Sequence, residues 1–241
     1  MKKKNVFIIS IMLLMLVNTS SKPHRDTIIN QTISKEPTSL YFEEIKDSFI
    51  YNEISNLPEQ EIEMEEKISI YLNPSVQTAN LYAANLGTEA QHMNKIATEM
   101  QLILSKYNFL QVEGNFDVKG LSLGNSVKES NSKKRDIHFA LHSNAGGGKG
   151  SEIYTNNNDK FAKFVYNQYS NSVPFPKRGV KNGNHLYEVK SIKATHVALI
   201  EVLFHDNVEE ASYIVNNYKN IAYTLSMAIV DFALIEIQNK K

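Results

Sequence analysis

At 241 residues the chain has room for one or two domains. Its 26 basic and 26 acidic side chains cancel, so bulk electrostatics gives no pull toward nucleic acid. There is no cysteine, which excludes a disulfide framework or an anchor on a lipidated cysteine and leaves the core to carry stability.

The first residues, MKKKNVFIISIMLLMLVNTSS, place three lysines before an apolar run from Val6 to Val17, with small polar residues after it. This layout predicts a secretory signal over residues 1–21, or an uncleaved N-terminal anchor because no clear Ala-x-Ala site follows. The run is short for a bilayer span. Residues 22–66 are polar, carry Pro23, Pro37 and Pro58, and end in the acidic run EQEIEMEE. Such a stretch buries little apolar area and reads as a spacer, with a short helix expected around residues 40–54. The folded domain is therefore expected over residues 67–241.

KISIYLNP, residues 67–74, is rich in β-branched and aromatic residues and stops at a proline, which predicts a strand. Thr88 with Gln91 three residues on forms a capping box, and Met93, Ile96, Ala97, Met100, Ile103 and Leu104 follow at helical spacing. A shorter helix is expected over residues 122–132. DIHFALH is the second strong strand and SEIYT, after a glycine loop, the third. DKFAKFVYNQYS predicts a helix with Asp159 as its cap. HVALIEVLF, residues 196–204, is an apolar run of strand length. Asn207 with Glu210 is expected to cap the next helix, and IAYTLSMAIVDFALIEI to close the chain as a long amphipathic one. Strands alternating with helices predict an α/β fold with a mostly parallel sheet covered on both faces. In such sheets the chemistry lies beyond the carboxyl ends of the strands.

Three polar residues sit where that rule looks. In DIHFALHSN the strand period puts Ile137, Phe139 and Leu141 on one face and His138, Ala140 and His142 on the other. His142 ends the strand, whereas His138 lies about 13 Å back along it, too far to share an ion, and reads as a satisfied core histidine. Glu201 interrupts VALIEVLF, where a carboxylate needs either a structural cation partner or a task as a general base with a raised pKa. Glu89 opens the first helix four residues before Met93 and so faces the buried stripe; it serves either the helix dipole or a site. A carboxylate at a helix start, a histidine at a strand end and a glutamate in a neighbouring strand are the parts of a hydrolytic zinc site.

Four segments, GTEAQHMNKIA, DIHFALHSNAGGGKGSEIY, RGVKNGNHLYEVK and ALIEVLFHDNVEEASYI, occur in this order. Together they resemble the zinc-dependent N-acetylmuramoyl-L-alanine amidases of the amidase-3 type, from about Lys67 onward. The resemblance implies a single twisted, mostly parallel sheet of about six strands flanked by helices, of the zinc-amidase or phosphorylase/hydrolase-like kind. It also implies one catalytic zinc and hydrolysis of the bond between the muramic acid lactyl group and L-alanine in bacterial peptidoglycan. Carried over by position, Glu89 and His142 match zinc ligands and Glu201 the catalytic glutamate that takes the proton of the attacking water. Asn144 and Arg178 fall in motifs near the substrate groove, where contacts to peptide or sugar are expected. The chain departs from the family after the first strand, where LNPSVQ stands in place of a pattern like Asp-Pro-Gly-His. The third ligand is then open between Gln77, a weak amide donor, His92, one turn after Glu89, and His205, four residues beyond Glu201.

The expected function is an exported zinc amidase of peptidoglycan, extracellular or wall-bound, or membrane-anchored where the N-terminal segment stays uncleaved. The alternative is a degenerate amidase fold that binds peptidoglycan or activates another wall hydrolase without turnover, which the missing histidine favours. Retention of Glu201 favours catalysis, since a binding module has no evident need of a carboxylate in that strand. Zinc peptidase action on the stem peptide requires only a shifted substrate.

Overall fold

The computed structural model describes residues 67–239. The signal or anchor expected at 1–21, the spacer expected at 22–66, the short helix expected within it, and residues 240–241 lie outside the described residues. Six strands form one sheet: β1 (Ile68–Pro74), β2 (Leu110–Gly114), β3 (Ile137–Asn144), β4 (Ser151–Thr155), β5 (Lys177–Asn182) and β6 (His196–Phe204). Five helices intervene or follow: α1 (Glu89–Leu104), α2 (Leu123–Asn131), α3 (Lys160–Ser172), α4 (Tyr187–Ser191) and α5 (Val208–Asn239). The sheet order is β2-β1-β3-β6-β4-β5. All pairings are parallel except that of β4 with β6, which makes the sheet mixed as well as mostly parallel.

The period of β3 sorts its side chains as expected. Ile137, Phe139 and Leu141 join Ile200 and Val202 of β6 in a large apolar layer beneath α1, α3 and α5. Ala140, Val197 and Leu199 face the other way, onto Val127 of α2 and Val189 of α4 in a much smaller cluster. α1 begins where its capping box fixes it, with Gln91 N–H on Thr88 Oγ1 at 3.3 Å and Thr88 N–H on Gln91 Oε1 at 2.9 Å. Its apolar stripe, Met93, Ile96, Ala97, Met100, Ile103 and Leu104, is fully buried. Asp159 caps α3 through Phe161 N–H at 2.7 Å.

Three elements, β2, β5 and the five-residue α4, are additions to those read from the sequence. The two helices expected after β6 are both present: they run on as α5, with a kink at Asn217 (φ −117°, ψ 17°) between them. By length and composition α5 could cross a membrane, but more than half of its apolar stretch is buried in this fold. The capping box at its start is also half made. Asn207 Oδ1 accepts from the N–H groups of Glu209 and Glu210 at 3.1 and 3.2 Å. The Glu210 carboxylate does not reach back to Asn207, because it takes Phe204 N–H at 2.7 Å and Gly150 N–H at 2.8 Å. That buried carboxylate ties the end of the glycine loop to β6. Gly150 has φ of +92°, and a Cβ there would lie 2.0 Å from Pro176 O, so no other residue fits.

Candidate active site

Strand register builds the centre of the site. β3 and β6 pair with His142 beside Glu201, and β6 and β4 pair with Glu201 beside Glu152. Registered neighbours on adjacent strands point to the same face, so these three polar side chains form one row across the sheet. It lies on the thinly covered face, toward the carboxyl end of β3, where parallel sheets place chemistry.

Glu89, at the start of α1, completes the row from above. Its Oε1 lies 2.9 Å from His142 Nδ1, and its Oε2 accepts from Asn80 Nδ2 at 2.6 Å. Gln77 approaches the same pair, with Nε2 3.4 Å from His142 Nδ1 and Oε1 accepting from Asn80 Nδ2 at 3.0 Å. Glu89, His142 and Gln77 therefore converge. The other two candidates for a third ligand are occupied elsewhere. His92 Nε2 lies 2.6 Å from Leu86 O with its ring against Tyr82, and His205 Nδ1 lies 2.8 Å from Ser143 O with its ring stacked on Tyr82. These two imidazoles hold the loop and the strand end in place. Among the described residues no group of three His, Cys, Asp or Glu side chains is placed to hold a metal ion. The convergent set of Glu89, His142 and Gln77 offers one carboxylate, one imidazole and one amide. The nitrogen and oxygen of an amide exchange by a half-turn, which would bring the Gln77 carbonyl oxygen to the His142 side.

Charge at the row is distributed by burial and by His142. Burial pushes Glu201 up to about 7, against the attraction of His142 and with help from Glu89 and Glu152. Its Oε2 is buried with no hydrogen-bond partner among the described residues, so no ion pair of the kind that holds a purely structural carboxylate fixes it. Burial would raise Glu89 too, but its hydrogen bond and ion contact with His142, followed by that with Asn80, carry it below the usual carboxylate value. Burial works against a charged His142, and the carboxylates of Glu188 and Glu89 outweigh it, holding the imidazole well above its ordinary value. A buried carboxylate that can take a proton near neutrality, beside a donor pair that can hold a cation, suits general-base hydrolysis.

Asn144 and Arg178 meet on one acid that the sequence reading did not single out. Asn144 Nδ2 donates to Glu152 Oε1 at 2.7 Å, and Arg178 Nε sits 2.9 Å from Glu152 Oε2. Tyr154 OH adds a third bond to Glu152, at 3.1 Å. Arg178 also lies over the Phe204 ring at 5.0 Å while staying 40% exposed, so this cluster forms a polar rim beside Glu201. An acid inside the apolar strand SEIYT was the available signal for Glu152. The glycine loop between β3 and β4 is held open by Asp206, whose Oδ2 accepts from the N–H groups of Gly146 and Gly147 at 2.7 and 2.8 Å. His138 is fully buried, as a satisfied core histidine, with Nδ1 2.9 Å from Ser130 Oγ and Nε2 3.0 Å from Glu188 Oε1.

Residues 78–231 match a family model described as N-acetylmuramoyl-L-alanine amidase. The matched range starts just past LNPSVQ, the segment that departs from the family pattern. No curated protein sequence matches the chain. Among solved structures, the fold is similar to the catalytic domain of an N-acetylmuramoyl-L-alanine amidase from Bacillus (Paenibacillus) polymyxa var. colistinus. That likeness has a TM-score of 0.63 at 18% identity and covers 68% of this chain and 97% of the other. An N-acetylmuramoyl-L-alanine amidase from Clostridium difficile 630 gives 0.62 at 18% identity, over 69% and 97% of the two chains. One from Nostoc punctiforme gives 0.62 at 14% identity, over 68% and 96%. At these identities the likeness establishes the fold.

Proposed function

The chain belongs to the N-acetylmuramoyl-L-alanine amidase family, and from that premise we propose that it is an exported, zinc-dependent amidase that hydrolyses the lactyl–L-alanine bond of peptidoglycan, with Glu201 as its general base. The observation that carries the reading is the buried, unpartnered Oε2 of Glu201 in register with His142. A buried acid oxygen kept without a hydrogen-bond partner in an apolar strand costs stability, on the order of 1–3 kcal/mol, which a catalytic task explains and a structural one does not.

The residues fit zinc with two strong donors and one weak one. Glu89 and His142 would hold the ion, with the Gln77 amide oxygen as the third protein donor, and Glu201 stands beside them without a partner of its own. When bound, zinc would supply a Lewis acid for the scissile carbonyl and for the attacking water. Glu201 takes the proton of that water and passes it to the leaving alanine nitrogen, acting in turn as base and acid. Asn144 and Arg178, fixed through Glu152, offer their remaining donors to peptide or sugar at the rim. Asp206 fixes the glycine loop by accepting from Gly146 and Gly147 N–H.

Export rests on the signal-like residues 1–21, with 22–66 as the spacer and 67–241 as the catalytic domain. A second reading, a wall-binding amidase fold without turnover, is favoured by one observation: Gln77 stands where an imidazole would make the third strong donor. Release of alanine amino groups from purified peptidoglycan by the full chain, with a chelator and with zinc restored, separates the two. Release that stops with the chelator and returns with zinc supports the amidase. A folded protein that binds peptidoglycan and releases no amine supports the second reading.

A further inference from the structure

Glu188 is a buried acid that the proposed mechanism does not use. It sits on α4, a helix of five residues on the thin face of the sheet, and is 3% exposed. Its Oε1 takes His138 Nε2 at 3.0 Å and also Asn73 Nδ2. Its Oε2 points to His142 Nε2 at 3.6 Å, an ion contact on the side of the ring opposite Glu89. The two oxygens of one carboxylate thus face two imidazoles, His138 anchored to Ser130 and His142 in the row.

An imidazole that gives its lone pair at one ring nitrogen carries its proton on the other. His142 Nδ1 faces Glu89 and Gln77, so a cation held there leaves the proton on Nε2, the atom that Glu188 faces. A carboxylate behind a ligating histidine fixes the tautomer, locks the ring and raises the basicity of the donor. We propose that Glu188 is the positioning residue of His142: it holds the proton on Nε2 and aims Nδ1 at the metal, and His138 and Ser130 serve to anchor Glu188. The inference rests on the zinc reading of Glu89 and His142. It also gives the weak third donor a counterweight, since a more basic His142 binds the ion more strongly.

The test is zinc affinity of the full chain, measured by competition with a chromophoric chelator, for wild type and E188Q. Glutamine keeps the size of the side chain and an oxygen for His138 and Asn73, but presents an N–H₂ group to His142 Nε2 and so favours the opposite tautomer. The expected result is a loss of about 10–100-fold in zinc affinity with the metal-free protein still folded. Unchanged affinity in a folded E188Q overturns the positioning role while leaving the zinc site standing. Should E188Q fail to fold, ¹⁵N spectra of the imidazoles in the zinc-loaded wild type decide instead. Metal on His142 Nδ1 with a protonated Nε2 upholds the inference, and metal on Nε2 overturns it. A wild type that binds no zinc sinks the zinc reading and this inference together.

Discussion

The two faces of the sheet share six strands and differ in what covers them. On one, α1, α3 and α5 bury Ile137, Phe139, Leu141, Ile200 and Val202 in an apolar layer that runs the length of the domain. On the other, α2 and the short α4 cover a smaller cluster centred on Val127, Ala140, Val189, Ile192, Val197 and Leu199, and several inward positions are polar. His138, His142 and Glu201 lie there, with Glu188 and Asn73 reaching in beside them. Among the buried atoms of this face with no hydrogen-bond partner among the described residues are Asn73 Oδ1 and Glu201 Oε2. Each such atom costs on the order of 1–3 kcal/mol. A fold can carry that cost on one face when the other supplies most of the hydrophobic stabilisation.

The largest expected effect separates the faces by function. Glu201→Gln keeps shape and volume, so the fold and the bound metal should persist while amide hydrolysis falls by about 10²–10⁴-fold, the usual share of a general base. Initial rates of amine release, beside zinc content and a melting curve, check this. A variant as fast as wild type would remove Glu201 from the mechanism.

Next comes stability. Phe139 is fully buried in the thick layer, against Phe161, and Phe139→Ala should cost about 3–5 kcal/mol. Ile192→Val on the thin face should cost about 0.5–1.5 kcal/mol. Denaturant unfolding of the metal-free proteins gives both numbers, and similar costs for the two would dissolve the division of labour between the faces.

Glu201 also has a pH signature. Its folded pKa, about 7, stands above the ordinary 4.5, so its contribution to stability is fully present below about pH 4.5 and is lost as pH rises through 7. Glu201→Gln has no such titration. Without metal, the variant should therefore gain on wild type between about pH 5 and pH 8, by on the order of 3 kcal/mol at most. Glu89, whose shift has the opposite sign, is present in both proteins and largely cancels from the difference. Melting series for the two proteins that stay parallel across this range would contradict the burial of an unpartnered Glu201.

The thick face was the legible one. β1, β3 and β6 carry enough buried apolar residues for a strand period to show, and α1 carries a complete stripe with its cap. β2 and β5 close the two edges of the sheet, where only Leu110 of β2 and no residue of β5 is buried and Lys177, Arg178 and Lys181 blunt the pattern. α4 is too short for any period to appear. On the thin face, legibility followed context. Glu201 and His142 stood out because apolar runs surround them, and Glu89 because a capping box fixes its position. Glu188 has no such frame: it sits between Tyr187 and Val189 in a five-residue helix, and only tertiary contacts with His138 and His142 reveal its burial.

The smallest effect probes the weakest donor. Gln77 is the only departure from a three-donor site that the geometry brings to the Glu89–His142 pair, and an amide oxygen binds zinc less strongly than an imidazole. Gln77→His should raise zinc affinity by roughly tenfold or more, since even an outer-shell partner carries that much. The loop permits the change, because Gln77 meets its neighbours through one long contact to His142 and one bond from Asn80. A gain in affinity with a matching gain in hydrolysis at limiting zinc would mean that the site works with a deliberately weak third donor, and that Glu188 and His142 carry more of the binding than two ligands usually do. No gain would mean that position 77 lies outside the coordination sphere, so the ion would be held by Glu89 and His142 alone.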